Sequence, residues 1–379
     1  MVGPKRELKV SLLKTIKRRV YPTASQYIIR AELVEGVLKN TDKPFRCLFA
    51  DNSPFTHYLL RKIFAEPVRI IKKRRIWIPA LKKMLHSSAE DMDLCIAVLP
   101  RRYEPEFRGL YTFRGQEFVR QIIDTSGTWD DVRKRFHRKK REISNNLAGK
   151  YGLSSRISTD EKDFDFFYHR MFLPHIKKRF RDFSVIDSYE EMKHFFAKGF
   201  LLLIMSGDQA VAGSLCLVKD LALVFRRAGV LDGNDDYIKG GAQMAIYYFQ
   251  LRLAKEYNLG RMDAMSSRPF LDDGVYRTKR EWGAAVYPDH DSNCWVYYFI
   301  PRRSKRVVSF FESSPAIVQS GDGLIGVVGS NGCTEPSDQT RKDLVKRFYA
   351  PGLEGLLLLS PYPSPPVVFP FKDYKPSNH

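Results

Sequence analysis

Phe200-Leu-Leu-Leu-Ile-Met-Ser-Gly-Asp-Gln-Ala-Val-Ala-Gly-Ser-Leu-Cys-Leu-Val218 is the stretch on which the architecture turns. Two apolar runs, Phe200–Met205 and Gln209–Val218, flank Ser206-Gly207-Asp208. A Gly-Asp turn between two such runs predicts a β-hairpin. Lys219-Asp220 turns the chain again, into a third strand over Leu221–Val230. Downstream lies an Asp/Gly-rich loop, Asp232–Asp236, then a strong helix over Gly241–Tyr257 that stops at Asn258 and Gly260. A strand at Arg261–Met265, a helix at about Asp272–Glu281 and a strand at Cys294–Ile300 follow. Upstream, Phe164, Phe167, Met171 and Phe172 line one face of a helix over Asp163–His175, with Pro174 near its end. Ser188 caps a second helix, Tyr189–Ala197, supported by Glu190 and Glu191. Two helices, three meandering strands, then helix–strand–helix–strand imply a mixed sheet with helices on both sides.

Farther out the pattern is weaker but still ordered. Asp93–Leu99 reads as a buried strand closed by Pro100, and Phe118–Asp124 as another. The second runs into a helix that opens at Thr128 with Asp131 in its first turn. Residues 1–127 therefore read as one α/β unit, 128–150 as a basic bridging helix, and 151–301 as a second unit. Residues 302–379 read as an extension. It holds strand signals at Ala316–Ser320, Leu324–Gly329 and Leu356–Leu359, a helix at Arg341–Phe348, and a Pro-rich tail. No internal repeat of 20–50 residues is present.

The 379 residues carry 63 Lys and Arg against 43 Asp and Glu, a formal charge of +20. The excess is lopsided: residues 1–150 hold 33 basic and 16 acidic side chains, against 30 and 27 in the remainder. At 44% hydrophobic and 13% aromatic the chain can bury sizeable cores, which excludes general disorder. Its longest apolar run, around Phe200–Met205, is far too short to span a bilayer. Lysines at 9, 14 and 17 break any apolar region near the start, so a secretory signal is not expected. Cys47, Cys95, Cys216, Cys294 and Cys333 are far apart and lack Cys-x-x-Cys, which predicts reduced thiols and a cytoplasmic setting. No metal is expected.

Three patches hold the positive charge. In Lys5–Arg19, Leu8, Leu12, Ile16 and Val20 recur every fourth residue among lysines and arginines. That pattern suits a basic amphipathic helix, docked on a core or lying on an anionic membrane. Arg69–Arg75 precedes Ile76-Trp77-Ile78-Pro79. Arg133-Lys-Arg-Phe-His-Arg-Lys-Lys-Arg141 is the densest run. Its cations exceed the carboxylates nearby, so Arg133, Lys134, Arg138, Lys139 and Arg141 are the expected contacts for a polyanion such as tRNA or lipid head groups.

Two further segments carry chemistry. Tyr237-Ile-Lys-Gly-Gly-Ala242 sets two glycines and a lysine at a helix N-terminus, where free N–H groups and the dipole favour an anion. Lys239, Gly240, Gly241, Ala242 and Gln243 are the residues of that turn. Tyr276-Arg-Thr-Lys279-Arg-Glu-Trp-Gly283 ends a helix with clustered cations, either to complement the dipole or for Lys279 to stabilise a developing oxyanion. Gly321-Asp-Gly323-Leu-Ile-Gly326 has the letters of a dinucleotide fingerprint, but Val327-Val328-Gly329 continues as strand, so it reads as a hairpin turn. His169 and His175 are six apart, which suits no metal pair on one helical face.

These segments together resemble a GNAT acyltransferase domain, and specifically its FemAB-like branch. The resemblance covers about two-thirds of the chain. It rests on the element order of 151–300, Lys134–Asn146 leading into Tyr151-Gly152-Leu153, the hairpin Ile204–Ser214, Ala254-Lys-Glu-Tyr257, Asp263 on the next strand, and Lys279-Arg-Glu-Trp-Gly283. It implies an α/β (α+β) fold of tandem GNAT-like domains, each a mixed, mostly antiparallel sheet flanked by helices, the first half degenerate. It also implies transfer of an acyl group, such as acetyl from acyl-CoA, to an amine. Carried over, Lys279 is the oxyanion- or donor-stabilising cation, Asp263 the first candidate base and Tyr276 the second. Lys239 to Ala242 line the phosphate-facing turn. The usual pyrophosphate loop, Gln/Arg-x-x-Gly-x-Gly/Ala, loses its leading residue in Asp236–Ala242, so aminoacyl-tRNA remains a second donor, with a peptide or cell-wall amine as acceptor. A basic protein that kept the fold without the chemistry, bound to nucleic acid or to the inner face of a membrane, is the third reading.

Overall fold

The computed structural model describes residues 27–39, 41–147, 149–180, 186–331, 336–362 and 366–371. The expected helix over Lys5–Arg19, Cys333 and most of the Pro-rich tail lie outside the described residues. In chain order the strands are β1 (Ile28–Leu38), β2 (Pro44–Asp51), β3 (Phe64–Trp77), β4 (Leu94–Pro100), β5 (Phe113–Gly115), β6 (Val119–Asp124) and β7 (Leu153–Ser158). There follow β8 (Phe200–Ser206), β9 (Gln209–Lys219), β10 (Ala222–Val230), β11 (Arg261–Ser267), β12 (Ala285–Pro288) and β13 (Cys294–Phe299). The last are β14 (Ala316–Ser320), β15 (Gly323–Gly329), β16 (Leu353–Leu359) and β17 (Val367–Pro370).

Among the described residues these strands form three sheets, ordered β3-β1-β2-β4-β13-β5, β12-β6-β11-β10-β9-β8-β7 and β14-β15-β16-β17. Each of the first two is mostly antiparallel with a single parallel pair, β2 beside β4 and β10 beside β11. The hairpin of β8 and β9 closes at Ser206 and Gln209 as the Gly-Asp turn requires. In the second sheet the antiparallel strands β7–β10 are followed by the helix Ala242–Glu256 and by β11 parallel to β10; in the first, β3 returns beside β1 before β4 joins β2 in parallel.

The strands do not divide at residue 127. β6 leaves the first unit to pair with β11, and β13 leaves the second to pair with β4. In each sheet the strand beyond the parallel pair is thus supplied by the other unit, so the ranges 1–127 and 151–301 cut across both sheets. Local pattern shows that a segment is a strand, not which edge it joins.

The helix expected over Asp163–His175 does not end near Pro174. It runs Glu161–Phe166, widens to a π segment at Phe167–Phe172, and continues as Leu173–Phe180. A π turn shifts the hydrogen-bond ladder by one residue, which accommodates a proline that lacks an N–H. Residues 302–371 likewise are more than an extension. The helix Lys305–Ser313 and β14–β16 share a core with the first sheet through Phe45, Phe64 and Val296. Leu324, Leu353 and Leu356 pack on Val119, Leu271 and Tyr276 of the second. Gly321–Gly323 is the hairpin turn between β14 and β15, with Ser320 opposite Gly323.

Candidate active site

β10 and β11 are joined only at Ala222–Arg261, Leu223–Met262 and Val224–Asp263. Beyond that point both strands lose register. β10 bulges between Phe225 and Arg227, and β11 between Asp263 and Ser266, where Met265 adopts φ 62°. Left-handed backbone at a non-glycine residue is strained and persists only where its surroundings hold it. The bulges part the two parallel strands beyond Val224 and Asp263.

Lys279 lies buried against the bulge of β11. Its helix, Gly274–Glu281, is fixed at its start by Asp273, whose Oδ1 accepts from the backbone N–H groups of Val275 and Tyr276 at 3.0 Å each. One turn from the end, Lys279 is only 5% exposed, and its Nζ donates to the carbonyls of Met265 (3.2 Å) and Ser266 (2.9 Å). The bulge of β11 thus presents two carbonyls to one lysine. Burial lowers its pKa from 10.5 to about 7, outweighing the opposing pull of Asp273 and Asp263. At neutral pH the amine is within reach of both protonation states.

Charged side chains surround it in pairs. Arg120 of β6 forks onto both oxygens of Asp263, with Nε at 2.9 and 3.1 Å, and the Met265 N–H adds a bond to Asp263 Oδ1 at 2.9 Å. Ser266 Oγ donates to Asp289 at 2.7 Å. Arg227 of β10 donates to Asp187 at 2.8 Å, and Arg226 stacks on Phe195 with its guanidinium carbon 4.2 Å from the ring centre. Burial, with Arg227 alongside, holds the Arg226 pKa below its usual value.

Of the three expected catalytic side chains, two come together at the β11 bulge, Asp263 and Lys279 both bonding to the Met265 backbone. Asp263 stands there with both oxygens committed to Arg120 and Met265, a positioning group. Tyr276 is fully buried in the core with Leu271, Val286 and Leu324; its hydroxyl has no partner among the described residues, and burial pushes its pKa far up. Its backbone carbonyl, by contrast, accepts from Gln121 Nε2 at 3.1 Å.

The glycine turn differs from the strand–turn–helix expected. A short helix, Asp235–Lys239, intervenes, capped by Asn234 and opened by Asp235 and Asp236. Gly241 then caps the helix Ala242–Glu256 at φ 88°, a conformation that favours glycine. Ala242 is buried, Gln243 Oε1 accepts from Arg179 at 3.0 Å, and exposed Lys239 stands 4.0 Å from Asp236. The first N–H groups of a helix lack intrahelical partners. This turn therefore keeps donors for an anion, with two carboxylates close by.

The run Arg133–Arg141 finds more local carboxylates than its density suggests. Arg133 pairs with Asp130, Lys134 with Asp131, Arg135 with Asp124, Arg138 with Glu142 and Lys140 with Glu281. Lys139 is exposed and Arg141 half-buried. The bridging segment is clamped to the lysine helix. Lys140 Nζ lies 3.2 Å from Glu281, His137 N–H donates to the Glu281 carbonyl at 2.8 Å, and Phe136 meets Trp282 edge-on at 5.0 Å.

Sequence reasoning missed Arg120, Asp187, Arg226, Arg227, Ser266 and Asp289. A signal existed for one pair: Arg226 and Arg227 are adjacent cations inside an otherwise apolar strand, which edge exposure alone does not explain. Among the described residues no three His, Cys, Asp or Glu side chains gather to hold a metal ion, and no helix is long and apolar enough to cross a membrane. Cys47, Cys95 and Cys216 are buried free thiols, and Cys294 is a half-buried one.

The fold defines an α/β protein with two mixed, mostly antiparallel sheets, each holding one parallel pair and flanked by helices. No protein-family model matches the chain, and no curated protein does. Solved structures similar to it include FemX, at 10% identity, covering 70% of this chain and 84% of that one, with a TM-score of 0.38. L-PGS from Bacillus licheniformis matches at 10% identity over 74% of this chain and 87% of that one, TM-score 0.37. A GCN5-related N-acetyltransferase from Sphaerobacter thermophilus matches at 8% identity over 67% and 71%, TM-score 0.29.

Proposed function

We propose that this protein is an N-acyltransferase that moves an acyl group from acyl-CoA to an amine, with Lys279 as the group that handles the proton. The observation that carries the reading is Lys279, buried at the point where β10 and β11 part and anchored by two carbonyls of the bulged strand. A neutral lysine amine has two N–H donors and one lone pair. With Met265 and Ser266 taking the donors, the lone pair is left as a proton acceptor. The acceptor nitrogen forms the new C–N bond, the thioester C–S bond breaks, and the thiolate departs. The proton shed by nitrogen passes to Lys279 and on to the thiolate. In the protonated state the same Nζ is a cation beside the developing oxyanion. Arg120 and Asp263 lock the bulge, and the N–H groups of Ala242 and Gln243 with Lys239 are the expected anchors for the donor phosphates.

The test is release of free thiol from acetyl-CoA in the presence of a panel of primary amines. Amine-dependent release is expected, falling by about 10²–10⁴ in Lys279→Met. Turnover that survives this substitution unchanged defeats the assignment.

One observation favours a second donor. Asp235 and Asp236 beside the glycine turn are unfavourable neighbours for a pyrophosphate. Aminoacyl-tRNA, which needs no pyrophosphate pocket, is the alternative, read as transfer of labelled amino acid from charged tRNA. Mass spectrometry of the freshly purified protein separates CoA, tRNA and no donor, the last favouring a binding protein without chemistry.

A further inference from the structure

We propose that the β1–β3 end of the first sheet docks on an anionic lipid bilayer. β3 is the outermost strand of that sheet, and its pairing with β1 sets Ile28 opposite Trp77, Arg30 opposite Arg75 and Glu32 opposite Lys73. The intervening residues Ile29, Ala31 and Leu33 face the helix Ile78–Ser87 and are buried with Leu81 and Leu85. The other face is therefore a ladder in three steps: an apolar pair at the tip, an arginine pair, then an ion pair at 2.9 Å. An interfacial anchor has this order, with apolar groups below the head groups and cations at phosphate level.

The exposed residues are unusual for a sheet edge. At the tip Trp77 is 58% exposed and Ile28 40%; farther along β3, past Lys73, Ile70 and Ile71 are exposed as well. Lysine and arginine on an edge strand are commonly explained as protection against strand-to-strand aggregation. Large apolar side chains on the same edge defeat that purpose, so protection does not account for the patch. Arg30 and Arg75 stand on neighbouring strands as like charges, an arrangement that a bound anion relieves. On this face Arg75 has no carboxylate partner among the described residues, Arg30 stands 3.9 Å from Glu32, and Arg69 and Lys73 pair with Glu35 and Glu32, whereas Lys72 and Arg74, opposite Leu33 and Ala31, belong to the other face. Tyr27, Ile28, Arg30, Asn52, Arg75 and Trp77 line an open groove of about 1040 Å³.

Charge selects the occupant. Residues 5–20, which precede Tyr27 at the groove rim, are themselves basic, with Leu8, Leu12, Ile16 and Val20 recurring among their cations. Like charge disfavours that segment as the cover of an arginine-lined groove. Single-stranded RNA is the less favoured polyanion. Its bases need successive aromatic faces for stacking; the Tyr27 ring already carries Arg102 at 4.9 Å, which leaves Trp77 as a single face beside Ile28.

The test uses the full chain, sedimented with vesicles of phosphatidylcholine alone or with 30% phosphatidylglycerol. Binding to the anionic vesicles only is expected, about thirtyfold weaker for the combined R30Q/R75Q variant. Bromine-labelled lipid should quench tryptophan fluorescence in the parent chain and much less in Trp77→Phe, which retains binding and the parent melting temperature. Equal binding to neutral vesicles overturns the proposal. So does undiminished binding by the double variant, quenching that persists in Trp77→Phe, or a double variant that loses tRNA binding yet keeps vesicle binding. The assay requires no turnover, so its outcome is independent of the acyl-transfer reading.

Discussion

Lysine 279 should make the stability of this protein depend on pH in a direction opposite to that of a paired lysine. In the unfolded chain the amine has its ordinary pKa of 10.5, and in the fold burial brings it to about 7. At 1.36 kcal/mol per pH unit, the fold disfavours the charged amine by about 5 kcal/mol relative to the neutral one. Above pH 10.5 both states are neutral and nothing is lost. As pH falls from 10.5 to 7 the unfolded chain takes up a proton that the folded one refuses, so stability falls through that window. Below 7 both hold the proton and the full penalty persists. Lys279→Met removes the penalty but strands the carbonyls of Met265 and Ser266, each worth about 1–3 kcal/mol if left unpaired. The two effects nearly offset at pH 7, so the informative quantity is the slope. Urea unfolding of both chains between pH 6 and 9.5 measures it. The parent should gain on the variant by up to about 1.4 kcal/mol per pH unit above 7. A flat difference, or one that falls as pH rises, refutes a buried neutral lysine and with it the proton-acceptor role.

His175 should act at the acid end. Burial, with Arg179 and Lys178 nearby, lowers its pKa to about 4. Stability should then fall by about 3 kcal/mol between pH 6.5 and 4, a loss that His175→Gln should reduce in the same unfolding assay. A double-mutant cycle of Arg120→Ala and Asp263→Asn should give a coupling of about 1–3 kcal/mol, since the forked pair is half-sheltered from solvent. Gly241→Ala should cost about 1–2 kcal/mol in thermal unfolding because it forces a Cβ into left-handed backbone. Ser188→Ala should cost about 1 kcal/mol by removing a capping box.

What could be read from the sequence was what is local. The β8–β9 hairpin, the helix Ala242–Glu256 and Lys279 near a helix end follow from periodicity, turn chemistry and charge within a few residues. The exchange of β6 and β13 depends on which open edge each strand reaches, and Val119–Asp124 carries no mark of that choice. Tyr276 and Lys279 are one turn apart on the same helix and both are buried. Sequence cannot separate a tyrosine that fills a core from a lysine that meets a strand bulge when the two share a side. In the charge run at 133–141 the partners Asp130, Asp131 and Glu142 are sequence neighbours, whereas Glu281 reaches Lys140 from a distant element that no local pattern marks.

The exchange of strands also governs the order in which the protein can be made. β4 ends at Pro100, and β13, which covers it, begins about 200 residues later. At roughly 5–20 residues per second, a nascent chain holds that hydrophobic edge open for on the order of 10–40 seconds. β6 has left the ribosome well before β11, the strand it joins, is translated. Neither sheet can be finished before the other is well advanced, so the halves are committed to fold together. Separately expressed halves would each expose an edge that the missing strand should cover. Contacts this distant in sequence also predict slow refolding and a need for protection against aggregation while the chain is incomplete.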